Sequence, residues 1–157
     1  MDDRNLSASQ KALLVTDGTI TQLLEVFSGE RVRVRKLSQS LIAGGPAVLQ
    51  VSGAEPVINR RILLFGDTRK YLHAESWLVP ARMPPDLQNA LQNTDTPIGQ
   101  LWKASRLETF REIIDFRRED NSEVSDLLET RGGLLSRSYL VRTGGQPMAL
   151  IVERFAA

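Results

Sequence analysis

Leu134-Leu135-Ser136-Arg137-Ser138-Tyr139-Leu140-Val141-Arg142, followed by Thr143-Gly144-Gly145-Gln146-Pro147 and then Met148-Ala149-Leu150-Ile151-Val152-Glu153-Arg154-Phe155, is the stretch that decides the fold. Two apolar runs of strand length around a Gly-Gly turn predict a β-hairpin, and a hairpin makes antiparallel neighbours. A second hairpin is predicted upstream, where residues 61–65 and 71–79 flank Gly66-Asp67-Thr68-Arg69-Lys70. Arg31-Val32-Arg33-Val34-Arg35-Lys36-Leu37 alternates charged and mostly apolar residues, as a strand with one wet face does. Residues 42–46 read as a loop, with a weaker strand at 48–51. Helices are expected at 6–14, at about 19–27 behind a Thr19…Gln22 capping box, and at 86–91, 98–103, 107–117 and 124–129. The 107–117 helix rests on Leu107, Phe110, Ile113 and Ile114 recurring at near-helical spacing. Together these predict an α+β fold: a single antiparallel β-sheet of about six strands with helices packed on one face.

The chain has 157 residues, the length of one domain, so residues 1–157 are expected to form a single unit. A net charge of +1 falls short of the basic balance of a dedicated nucleic-acid binder, so no nucleic-acid partner is expected. No apolar stretch approaches the roughly 18–20 residues of a membrane-spanning helix, and Met1-Asp2-Asp3-Arg4-Asn5 has no signal-peptide character. The absence of cysteine excludes disulfides, thiol nucleophiles and thiolate metal sites. A soluble, cytoplasmic protein is expected.

Two charges stand inside apolar, strand-like runs, where an unpaired charge is costly. Glu153, by period-2 alternation, shares a face with Ala149, Ile151 and Phe155. It is either a pocket carboxylate for a substrate hydroxyl or a strand-end carboxylate paired with an arginine. Arg60 shares a face with Ile58, Ile62 and Leu64, and its neighbour Arg61 points the other way; periodicity alone does not choose which arginine is inside. The helix starts at Thr19-Ile20 and Thr96-Pro97-Ile98 leave amides without internal partners, which either bind an anion or are capped and solvated. His73, the one histidine, reads as a sheet or surface residue, and a lone histidine argues against a metal site. Trp77 and Trp102 read as core aromatics. Arg82, Arg106, Arg131 and Arg137 are candidates for a carboxylate ligand, with a surface role as the default. No phosphate-binding glycine loop or nucleophile elbow is present.

Asn59-Arg60-Arg61-Ile62-Leu63-Leu64-Phe65, the C-terminal run bearing Glu153 and the segment Leu13-Leu14-Val15-Thr16-Asp17-Gly18-Thr19-Ile20-Thr21-Gln22-Leu23-Leu24-Glu25 resemble the chorismate lyase family, and a fourth piece, Thr96-Pro97-Ile98-Gly99-Gln100-Leu101-Trp102, falls between them in the family's order. The resemblance implies an enzyme that converts chorismate to 4-hydroxybenzoate and pyruvate without a cofactor. It selects Arg60 as the ring-carboxylate ligand, aided by the main-chain amides of Ile20 and Ile98, and places Glu153 at the ring 4-hydroxyl. It further implies that the product feeds quinone biosynthesis, of the plastoquinone or ubiquinone type, with hand-off to a membrane prenyltransferase. The alternative is a non-catalytic small-molecule-binding domain, like the effector-binding domains of GntR-type regulators. Those domains follow a winged-helix module that this sequence does not contain, so the enzyme is the expectation.

Overall fold

The computed structural model describes residues 6–17, 19–93 and 98–156. Among these, two helices, α1 (Ala8–Val15) and α2 (Ile20–Ser28), precede strand β1 (Arg33–Ala43). Strands β2 (Pro56–Phe65) and β3 (Lys70–Leu78) form the first hairpin, and helices α3 (Pro85–Asn93) and α4 (Ile98–Ala104) follow. The chain then runs through β4 (Phe110–Glu119), α5 (Ser122–Leu128), β5 (Leu134–Thr143) and β6 (Gln146–Ala156). The six strands form one antiparallel sheet in the order β1-β2-β3-β6-β5-β4. The α+β class and the antiparallel sheet are as the two hairpins predicted. No helix of the described residues is long and apolar enough to cross a membrane.

Four local expectations are corrected. Residues 110–119 are the edge strand β4, where a helix was expected over 107–117. A register shift against β5 between Ile113 and Asp115 supplies the reason. The extra residue of this bulge puts Ile113 and Phe116 both on the core side, three apart, and leaves Phe110 and Ile114 exposed. Of the four residues of the expected helical face, only Leu107 and Ile113 pack against the core. Residues 47–49 form a 3-10 turn instead of the weak strand at 48–51, and Leu49 is buried with Val57, Val79, Leu140 and Leu150. β1 continues to Ala43, through part of the expected loop. The capping box sits one helix earlier than predicted: Gln10 N donates to Ser7 Oγ and Ser7 N to Gln10 Oε1, while Thr19 makes no side-chain cap bond. The expected break at Gly18 and the Thr96-Pro97 cap lie outside the described residues.

Helices α1 to α4 cover one face of the sheet. At one end α1 and α2 bury Leu13, Leu14, Ile20 and Leu24 against Leu64, Leu72, Leu135 and Phe155. At the other, α3 and α4 bury Leu87, Leu91, Ile98 and Trp102 against Ile58, Leu78, Val141 and Ile151. The opposite face carries α5, whose Val124 and Leu128 pack on Leu63 and Leu134, and the 3-10 turn at Ala47–Leu49.

That opposite face also holds His73, which is 1% exposed. Arg61 Nε donates to its Nε2 at 3.3 Å. Burial first, then the positive charges of Arg61 and Arg154, lower its pKa from 6.5 to about 4, against a small opposing effect of Glu123. The folded protein therefore keeps His73 neutral while the unfolded chain protonates it below about pH 6.5. As pH falls from about 6.5 to about 4 the unfolded state gains the extra proton, so stability is lost over that window. The loss attributable to this residue is about 3 kcal/mol at full development. Urea unfolding between pH 7 and pH 4.5 should show a shallower acid decline for His73→Gln than for the wild type; parallel declines would contradict the assignment.

Candidate active site

Between its two apolar ends, the helix-covered face of the sheet carries a band of polar side chains. Arg60 is 1% exposed, Arg137 1%, Ser76 4% and Glu153 5%, so all four are removed from water. Strand register explains how they meet. Glu153 on β6 lies opposite Ala74 of β3 on one side and opposite Arg137 of β5 on the other. In the neighbouring row Arg60 on β2 lies opposite Ser76, Ser76 opposite Ile151, and Ile151 opposite Tyr139. Between Arg60 and Glu153 the sheet therefore presents only the small side chains of Ala74 and Ser76.

This leaves a cavity with a floor of small residues and charged walls. Arg60, Glu153, Ala74, Ser76 and Tyr139 line it from the sheet. Ile20 and Thr21 line it from α2, and Ile98 and Trp102 from α4. The four residues singled out in the sequence, Arg60, Glu153, Ile20 and Ile98, thus come to one cavity, although they are spread from position 20 to position 153 of the chain. Arg60 is the inward member of its pair; Arg61 is on the opposite face, bonded to His73 and Glu123.

Glu153 has a dedicated partner. Arg137 Nε donates to Oε2 at 2.5 Å, and Tyr139 Oη donates to Oε1 at 3.0 Å. Arg137 Nη1 also donates to the main-chain carbonyls of Leu13 at 2.7 Å and Thr16 at 2.8 Å, at the C-terminal end of α1. Those carbonyls have no partner within the helix, and a buried cation there satisfies them. Burial, then the charge of Glu153, raises the Tyr139 phenol well above its ordinary value. Tyr139 therefore remains a hydrogen-bond donor at any physiological pH.

The other arginines separate cleanly. Arg82 donates to the carbonyls of Leu49, Gln50 and Pro147, a structural role. Arg131 is exposed. Arg106 lines a second, more open cavity alongside the first, together with Lys103 and Asp17. Tyr139 and Arg111 were not singled out in the sequence. Tyr139 shares the inward face of β5 with Arg137 by simple alternation, a signal that was available. Arg111 was concealed by the helical reading of its segment; as a strand residue it lies opposite Val141 and shares the core side with Ile113. Among the described residues no group of three or more His, Cys, Asp and Glu is placed to hold a metal ion.

A buried arginine, a carboxylate and a phenol around an apolar floor suit a small, flat, anionic ligand that also carries a hydroxyl. Comparisons with known proteins agree in kind. The family model described as "Chorismate pyruvate-lyase Rv2949c-like" matches residues 14–157. A chorismate pyruvate-lyase of Mycobacterium tuberculosis is 28% identical over 97% of this chain and 81% of its own length. Its counterpart in Mycobacterium leprae is 30% identical over 97% of this chain and 76% of its own. Among solved structures, the effector domain of PhnF from Mycobacterium smegmatis superposes with a TM-score of 0.70 at 15% identity, covering 91% of both chains. The ligand-binding domain of a GntR-family regulator from Bordetella bronchiseptica gives 0.62 at 17% identity, covering 81% of this chain and 86% of that one. These two likenesses are of fold. The match over residues 14–157, with the relatives' identity across nearly the whole chain, settles the family: the chain belongs to the Rv2949c-like chorismate pyruvate-lyases.

Proposed function

We propose that the protein is a chorismate lyase acting in the cavity between the sheet and helices α2 and α4. The observation that carries this reading is the meeting of Arg60 and Glu153 in one buried cavity, floored by Ala74 and Ser76, in a chain of this family. Arg60 holds the ring carboxylate, with the main-chain amides of Ile20 and Ile98 as further donors. Glu153 takes the 4-hydroxyl at the far side of the ring.

The reaction needs little from the protein. The ether bond between ring and enolpyruvyl group breaks, a ring hydrogen is lost as the ring becomes aromatic, and the enolpyruvyl carbon gains a proton to give pyruvate. Every atom of chorismate goes into one of the two products. Positioning and electrostatic stabilisation in a dry site therefore supply the catalysis. Arg60 fixes the ring and offsets charge developing on it. The carboxylate of Glu153, held by Arg137 and Tyr139, keeps the hydroxyl in place. The product, 4-hydroxybenzoate, would then enter quinone synthesis, where a membrane prenyltransferase would consume it. A second reading, a non-catalytic ligand-binding domain, has the fold likeness to effector domains in its favour.

Incubation of the purified protein with chorismate should yield 4-hydroxybenzoate and pyruvate in equal amounts. Arg60→Gln and Glu153→Gln, checked for folding by circular dichroism, should each lower kcat/KM by about 100-fold or more. If the wild type produces nothing above the spontaneous breakdown of chorismate, the binding-domain reading replaces this one.

The buried pair makes a separate prediction. Arg137→Met leaves Glu153 charged, buried and short of its partner, at a cost of about 3–5 kcal/mol. Adding Glu153→Leu removes the orphaned charge and should recover most of that stability in urea unfolding, without restoring activity. Additive losses in the double variant would show that the two side chains act independently.

A further inference from the structure

The buried cavity and the open one beside it share a wall made by Thr19, Gly99, Trp102 and Arg111. Arg111 comes from edge strand β4, and its guanidinium leans inward over the ring of Tyr139, 5.5 Å from the centroid. A Cβ placed on Gly99 would stand 3.7 Å from Arg111 Nη2, so the arginine faces the one position of this wall that has no side chain. Trp102, 4% exposed, adds an indole Nε1 that has no hydrogen-bond partner among the described residues. The outer cavity is cationic: Lys103, Arg106 and Arg111 line it against Asp17. Arg60 reaches the inner cavity from the opposite side, with three strands between β2 and β4.

A site with one arginine deep inside and a second at the boundary with a cationic outer space matches a ligand bearing two separated carboxylates. We infer that Arg111 is the residue that receives the second carboxylate, the one on the enolpyruvyl side chain, and so distinguishes substrate from product. The inference rests on the chorismate reading. Chorismate has two carboxylates and 4-hydroxybenzoate has one, so only the substrate engages both arginines. Once the ether bond breaks, the second carboxylate belongs to pyruvate, which lies next to the outer cavity and leaves through it. Arg111 contributes binding at this end and leaves the ring end to Arg60 and Glu153.

The test compares substrate and product on the same variants. Arg111→Met should raise the KM for chorismate by about ten-fold or more, the effect of one lost charge-assisted contact. The inhibition constant of 4-hydroxybenzoate should stay within about two-fold, because the product never reaches Arg111. Arg111→Lys, which keeps the charge but loses the planar fork, should fall between wild type and Met, and it carries the test if the Met variant does not fold. An unchanged KM overturns the inference, as does equal weakening of chorismate and 4-hydroxybenzoate, which marks a merely structural residue. If the wild type itself does not turn over chorismate, the proposed function fails and this inference with it; a wild type that turns over chorismate beside an insensitive Arg111 variant defeats the inference alone.

Discussion

The contact between Arg137 and Glu153 organises the centre of this molecule. Both side chains are almost fully buried, and the ion pair joins β5 to β6 at the middle of the sheet's covered face. Through Nη1 Arg137 ties the C-terminal end of α1 to that sheet, and α2, which follows α1 in the chain, roofs the cavity. Tyr139 takes the remaining oxygen of Glu153. One carboxylate thus sets the position of a helix pair, a phenol and a cavity wall. Apolar residues in the same places would be as stable or more so, because desolvation of two ions offsets most of their attraction. A polar band that divides an otherwise continuous core into two apolar clusters is what a binding site costs this fold.

The space itself arises from side-chain size. Large residues at the positions of Ala74 and Ser76 would fill the interval between Arg60 and Glu153, and the two apolar clusters would merge. With small residues there, two helices packed at the ends of the face bridge a hollow and close it from above. The site is therefore a property of packing as much as of charge: the sheet supplies the floor and the charged walls, α2 and α4 supply the roof, and the edge strand β4 supplies the outer boundary.

Much of this was legible in the sequence where a local rule and the tertiary environment agree. The turn residues of both hairpins predicted antiparallel strands, and period-2 alternation around Glu153 and Arg60 grouped the residues that share a face. Arg60 needed the family resemblance to be preferred over Arg61, since alternation treats the two alike. Legibility failed where backbone irregularity changed the period. The helical pattern of Leu107, Phe110, Ile113 and Ile114 counted two residues, Phe110 and Ile114, that are exposed on the edge strand, and so it hid both a strand and Arg111. The partner of Glu153 was left open for another reason: an ion pair across two strands depends on register, and nothing local to Arg137 or Glu153 fixes it. His73 was read as a surface or sheet residue; its near-complete burial comes from α5 packing on the far face, a contact that sequence periodicity does not report.

The most direct test of the central claim is a crystal structure of the protein with 4-hydroxybenzoate. The carboxylate should lie on Arg60, the ring over Ala74 and Ser76, and the hydroxyl within hydrogen-bond distance of Glu153, with the Arg137 contact intact. A ligand bound the other way round, or one found only in the outer cavity, would contradict it.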